Sequence, residues 1–461
     1  MTIASTMTFH PRPEPGQPTP WNFPAPTRST LPNGLTVLRC DRPGQALVAA
    51  ELVLDVPLDA EPKAQEGVST ILARAFSEGT ESLTAEEFAA ELERAGATLD
   101  AHADHTVLRV SLEVPASRLE RGLGLLADAV RVPAFPEHEI ERLVANRLDE
   151  IVHELANPAR RAAIAFYGEM FDAGDRLSRP RSGTAETVKT IDRSAVSSFY
   201  AEHVRPSTAT LVVVGDFSGV DLDAVLAATV GRWTAEPGER RRPAPVRGDD
   251  AGRVVVVDRP GSVQTQLLIG RVGPDRHDDS WAAQILGTYC LGGTLTSRLD
   301  RVLREEKGYT YGVRAFAQPL RSGADGEGRA LLAISGSVDT ESTAPALADT
   351  WQILRTLAAE GLTDEERDIA VQNLVGVAPL RYETASAVCA TLADQVEQEL
   401  PDAYQAEVYR RLAETTTAEA TAAVVAGFPP ERLVAVLVGD ASVIAGPLKD
   451  LGIGEVTVIP A

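Results

Sequence analysis

Short runs of apolar and β-branched residues alternate along this chain with longer stretches of helical period. Leu35–Leu38, Leu108–Val114, Leu211–Val214, Val254–Val257, Leu331–Ile334 and Leu433–Val438 predict strands, because such residues suit a pleated, buried surface. Thr84–Ala95 predicts a helix that opens with a capping box, Thr84 being followed at the third position by Glu87. Pro136–Leu155 predicts another, with proline at its start and acids in its first turn. Thr340–Ala358 and Thr363–Ala378 carry the pattern into the second half. Within Gly67–Thr80, the residues Val68, Ile71, Leu72, Ala75 and Phe76 form one core-facing stripe. Thr70, Ala73, Arg74 and Ser77 form a second stripe, which in an ordinary amphipathic helix would meet solvent. This mixture of strands and helices argues for an α+β fold and against a doubly wound sheet.

The pattern repeats. An apolar strand runs into Asp-Arg-Pro-Gly at Asp41–Gly44 and again at Asp258–Gly261. A second matched strand ends in Gly-Asp at Asp216 and again at Asp440. Both markers recur in the same order at nearly the same offset, which predicts two homologous domains of roughly 210 residues. A proline- and charge-rich stretch, 236–253, has almost no large apolar side chain and predicts the linker. The expected layout is an N-terminal arm over 1–26, a first domain over 27–235, that linker, and a second domain over 254–461. The arm is proline-rich and lacks periodicity, the composition of an extended segment.

Composition narrows the function classes. The chain has 461 residues, 44% hydrophobic and 24% charged, so more than one core is expected. Its net charge of −22 lacks the basic excess of a nucleic-acid binder. The acidity serves solubility; a sharper reading is an acidic cavity that attracts basic peptides. No apolar run is long enough to span a membrane, and no signal peptide is expected. Cys40, Cys290 and Cys389 are odd in number and far apart, which predicts free thiols and a cytoplasmic setting. Arginine far outnumbers lysine, as in a GC-rich bacterial genome.

Gly67, Gly79 and Thr80 are spaced as in the pattern G-x-x-H-x-x-E-H-x-x-x-x-G-T. On these residues the chain resembles the M16 (pitrilysin-type, mitochondrial processing peptidase-like) zinc peptidases. In that pattern His, Glu and His share one helical face and can meet one ion. Here the three positions are Thr70, Ala73 and Arg74. A hydroxyl, a methyl and a fixed cation cannot replace two imidazoles and a carboxylate around zinc. The family's fourth ligand is a distal Glu, matched by Glu150, which lies 76 residues beyond Arg74. The surrounding EIVHELANPARRA also resembles the family. An acidic residue that some members carry seven positions earlier is replaced by Leu143. Other residues offer no substitute site. His102 and His105 read as strand residues three apart, on opposite faces. Glu150 with His153 gives two ligands where zinc needs three or four.

The stretch Leu291–Val313 resembles the family's G-G-x-x-S-R-L-x-x-x-L-R-E-x-x-G-L-x-Y-x-V segment. Gly292, Gly293, Ser297, Arg298, Leu299, Leu303, Arg304, Glu305, Gly308, Tyr311 and Val313 all match. The resemblance implies a fold of two homologous α/β domains of the M16/LuxS-like metallohydrolase type, forming half of a clamshell. It implies that Gly292, Gly293, Arg304 and Tyr311 bind substrate, and that Arg304 and Tyr311 hold the peptide backbone and stabilise an oxyanion. A guanidinium and a phenol suit those tasks. With the metal positions emptied and this pair kept, the implied role is a non-zinc subunit of a heterodimeric peptidase. It would bind peptide and supply Arg304 and Tyr311 in trans to a zinc-bearing paralogue, with no cofactor of its own, no nucleic acid and no membrane. The alternative is a non-catalytic scaffold or peptide-binding subunit, like the family's core-protein members. No nucleophile motif of another peptidase class is present.

Overall fold

The computed structural model describes residues 21–240, 251–320 and 329–460. The first twenty residues of the expected arm and the middle of the expected linker lie outside this range. Twelve strands form two six-stranded sheets among the described residues. The first sheet contains β1 (Thr27–Thr30), β2 (Thr36–Asp41), β3 (Leu47–Leu54), β4 (Thr98–Ala103), β5 (Leu108–Pro115) and β6 (Ala209–Gly215), in the order β1-β2-β6-β3-β5-β4. The second contains β7 (Arg253–Asp258), β8 (Gln264–Gly273), β9 (Thr310–Leu320), β10 (Arg329–Asp339), β11 (Val434–Gly439) and β12 (Glu455–Ile459), in the order β12-β7-β11-β8-β10-β9.

Five strands of each sheet therefore correspond in order, which is the expected internal repeat. The sixth differs. β1 enters before β2 and pairs with it antiparallel, whereas β12 arrives at the chain's end and pairs with β7 in parallel. The two sequence markers meet in each half, because β2 pairs with β6 and β7 with β11 in parallel. The Gly44 N–H donates to Asp216 and the Gly261 N–H to Asp440, both at 2.7 Å. These glycines have φ of +86° and +75°, where a Cβ would be strained.

Each half lends a helix to the other. The Pro158–Met170 helix packs on β8 and β11 of the second sheet. Ala162, Phe166 and Met170 join a core there with Val255, Val257, Leu268 and Val436. In return the Ala385–Glu397 helix packs on β3 and β6, placing Cys389 and Leu392 in one core with Leu38, Ala49 and Val212. This reciprocal exchange buries apolar area on both sheets at once and fixes how the halves meet. Polar contacts add to it. Arg253 binds Glu169 at 2.8 Å, and Arg109 on β5 binds Asp394 at 2.7 Å.

The expected strands are all present, though several are longer than expected. Leu331–Ile334 lies in the first half of β10. The Thr363 capping box is formed, but its helix ends at Gly376, before Ala378. His105 is not a strand residue. It sits in the turn after β4, where Asp104 N–H donates to Val107, and its ring stacks on Tyr167 at 5.4 Å. Its separation from His102 thus comes from the turn and not from strand alternation.

Candidate functional site

The Val68–Ala75 helix starts at Gly67, whose φ is +104° and whose Cβ would come within 2.8 Å of the Ser182 carbonyl. Its N-terminal N–H groups, Gly67 and Ser69, donate to the buried Glu61 carboxylate at 3.1 and 3.0 Å. An anion at this end suits the helix dipole. Arg176 then neutralises Glu61 at 2.8 Å. Beyond the other end, the Thr80 N–H binds Leu83 O at 2.8 Å, and the Thr80 hydroxyl accepts from Leu83 N–H at 3.2 Å. The glycines and Thr80 of the family frame thus hold helix ends and turns. They can be kept without any metal.

The ligand positions are filled otherwise. Thr70 and Ala73 are buried and Arg74 and Ser77 half-buried, so the second stripe is largely covered by protein. This face packs towards the Glu137–Ala156 helix. Arg74 forms a two-pronged pair with Glu150, at 2.9 and 2.8 Å. Arg147, which the sequence did not single out, reaches the same carboxylate at 3.1 Å. It also binds Glu154 at 2.8 and 2.7 Å and the Ser182 carbonyl at 3.2 Å. Arg147 is only 2% exposed, and a fully ordered guanidinium needs this many acceptors when buried. The hydrogen bond from Arg74 leads in holding Glu150 below the usual carboxylate range, Arg147 assisting against partial burial. Burial alone would lower the Arg147 pKa, but Glu154 and Glu150 outweigh it and raise it.

These residues do not fit zinc. Glu150, at the position matched to the fourth ligand, is already bound by two guanidiniums. A cation at Arg74 repels a second cation, and Thr70 and Ala73 offer no strong donor. Leu143 is buried in the apolar core and gives the pocket no outer acid. His153 is exposed on the helix. No group of three or more His, Cys, Asp or Glu that could hold a metal occurs among the described residues. Thiol chemistry is equally poorly served. The three cysteines are free and buried, and burial pushes Cys290 up to about 12.

The Leu291–Val313 segment separates by role. Gly292 ends the Trp281–Gly292 helix where a Cβ would meet the Ala315 backbone at 2.4 Å, and a Cβ on Gly293 would meet the Tyr289 ring at 2.4 Å. Both glycines thus have a packing reason. Arg298 binds Glu366 at 2.6 Å and the Gly361 carbonyl at 2.7 Å. Leu299, Leu303 and Val313 are core residues. Arg301–Glu306 forms a wide π-type turn that closes before Gly308, and β9 follows. Arg304 is half-buried and its ion pair is with its neighbour Glu305 at 2.8 Å. Tyr311 is 90% exposed. Among the described residues no hydrogen bond or ion pair joins Arg304 or Tyr311 to Arg74 or Glu150.

Two matched domains, a helix in the place of a metal-ligand helix, and a retained Arg/Tyr segment define a peptidase-type architecture. A family model described as Insulinase (Peptidase family M16) matches residues 36–173, and one described as Peptidase M16 inactive domain matches 190–374. The chain belongs to the M16 peptidase family. A Mycobacterium tuberculosis protein called an uncharacterized zinc protease is 29% identical over 374 residues, covering 78% of this chain and 81% of that protein. A Rickettsia bellii protein with the same description is 27% identical, covering 63% and 69%. The fold is shared with the crystal structure of a peptidase M16 inactive domain from Pseudomonas fluorescens, at TM-score 0.82 and 22% identity, covering 90% of this chain and 98% of that one. A protease from Helicobacter pylori also has a TM-score of 0.82, at 17% identity, covering 90% and 100%.

Proposed function

We propose that this chain is the non-zinc subunit of a two-chain M16 peptidase. It binds peptide and presents Arg304 and Tyr311 to the active site of a zinc-bearing paralogue. One observation carries the reading. In Leu291–Val313 most matched residues have a structural duty, but Tyr311 is 90% exposed and has none. An exposed aromatic residue that the fold does not need is a candidate for contact with something outside the chain. The Arg304 guanidinium would hold a peptide carbonyl, and the Tyr311 hydroxyl would donate to the oxyanion as it develops. The chain needs no cofactor under this reading, since zinc belongs to the partner. Under this reading the pair would cleave peptides or leader peptides in the cytoplasm.

The test is reconstitution. The zinc-bearing partner, alone and with this chain, is assayed on a quenched-fluorescence peptide pool. Activity that appears only in the mixture, and falls with Tyr311→Phe while the complex still forms, is expected. Full activity with both Arg304→Ala and Tyr311→Phe in place would instead make the chain a scaffold.

A further inference from the structure

β9 is the outer strand of the second sheet, and Tyr311 lies near its start. Alternation along a strand puts every second side chain on one face. Val313 and Ala315 are both buried in the core. Counted back along the same face, Tyr311 should be covered with them. Its near-complete exposure therefore needs a local cause.

The cause is a break in register. Val313 pairs with Gly336 and Thr310 with Val338, so Tyr311 and Gly312 together oppose the single residue Ser337. Two residues against one make a β-bulge, which bends the strand, re-aims a side chain and leaves backbone groups without ladder partners. The Thr310 side chain supplies those partners. Its hydroxyl donates to the Ser337 carbonyl at 2.6 Å and accepts from the Gly312 N–H at 3.0 Å. Just past the bulge, the fully buried Asp300 carboxylate accepts from the Val313 N–H at 2.7 Å and also holds Arg314. Asp300 stands directly before the turn that carries Arg304, so one carboxylate ties that turn to the Tyr311 strand. On the facing strand, a Cβ on Gly336 would come within 2.8 Å of the Gly312 carbonyl, so a glycine there makes room for the extra residue.

We propose that Thr310 is the positioning residue for Tyr311, its hydroxyl holding the bulge that keeps the phenol out of the core and aimed away from the chain. This rests on the reading of Tyr311 as the oxyanion donor to a partner's active site. Thr310 does not touch substrate. The Tyr311 phenol has no hydrogen-bond partner among the described residues, so its direction is set by its backbone. A misplacement of about 1 Å can cost about 10²-fold in rate. Valine keeps the shape of threonine but leaves the Ser337 carbonyl and the Gly312 N–H unsatisfied, which removes the reason for the bulge.

Two readouts test this. The first uses the full chain alone, labelled with 3-fluorotyrosine, its Tyr311 fluorine resonance assigned by the loss of that signal in Tyr311→Phe. Thr310→Val should move or split the resonance, and Thr310→Ser, which keeps the hydroxyl, should leave it in place. The second is turnover of the reconstituted pair. Thr310→Val should lower kcat about 10- to 100-fold at unchanged KM and assembly. Thr310→Ser should retain the parent kcat, and Thr310→Val should cost nothing further in a Tyr311→Phe background. Three results overturn the proposal: a resonance indifferent to Thr310→Val, a kcat that falls with Tyr311→Phe but not with Thr310→Val, or an equal loss from Thr310→Val with and without the Tyr311 phenol. Parent-level kcat in Tyr311→Phe alone contradicts the in-trans reading instead, and the fluorine resonance then decides by itself whether Thr310 sets the aim.

Discussion

The Val68–Ala75 helix and the Leu291–Val313 segment changed in opposite ways. In both, the residues that the fold requires are intact. Gly67 still clears the Ser182 carbonyl, and Arg298 still ties Glu366 to Gly361. The difference lies in the residues the fold does not require. On the first helix the metal ligands are gone, and a guanidinium pairs with the carboxylate left behind. On the second segment Tyr311 stays, although it is almost fully exposed. A motif match therefore has to be divided residue by residue. Glycines and buried leucines report fold, and only the remainder reports chemistry.

If the emptied pocket is now structural, its deepest member should matter most. Arg147→Met leaves Glu150 and Glu154 without their buried cation, and unfolding by denaturant should show a loss of about 2–4 kcal/mol. Acid should weaken the same half. Burial, with Arg181 nearby, lowers His105 to about 4. Above about pH 6.5 its imidazole is neutral in the folded and unfolded chain alike. As pH falls from there towards 4, the unfolded chain takes the proton first, so stability is lost. Glu150, whose folded pKa is lowered, contributes fully above its unfolded value of about 4.3 and loses that contribution below it. A His105→Gln variant should show less loss of unfolding temperature between pH 7 and 5 than the parent. Arg74→Ala should cost less than Arg147→Met, about 1 kcal/mol, since its pair with Glu150 is partly solvated at 32% and 42% side-chain exposure. Tyr311→Phe should change stability by less than about 0.5 kcal/mol, as an exposed side chain without partners does. Equal costs for Tyr311 and Arg147 would erase the contrast between the two regions.

Much of the site was legible because it is local. The Gly67 to Thr80 frame, the missing ligands and Glu150 could all be placed from spacing, as could the Leu291–Val313 match. Arg147 could not. Its value depends on depth and on the Ser182 carbonyl from a distant loop. A signal was present in the Arg147–Glu150–Glu154 spacing on one helix, which places the three near one another. The repeat showed in the Asp-Arg-Pro-Gly and Gly-Asp markers because each pair closes one turn. The strand β3 was missed because Ala49, Ala50 and Glu51 interrupt its run of large apolar residues, whereas the equally buried β6 and β11 read as valine and leucine runs, broken only at Ala435. The exchanged helices were also illegible as partners. Each apolar face reads as ordinary core, and nothing local says that it covers the other half's sheet.

The central claim is that this chain lends chemistry without holding metal. The most direct measurement is the turnover of the reconstituted pair, with zinc content measured on each purified chain. The account predicts essentially no zinc on this chain, and a fall of about 10²–10³ in kcat for Tyr311→Phe at undiminished assembly. One tightly held zinc on this chain, or unchanged turnover when Tyr311→Phe and Arg304→Ala are combined, would contradict it.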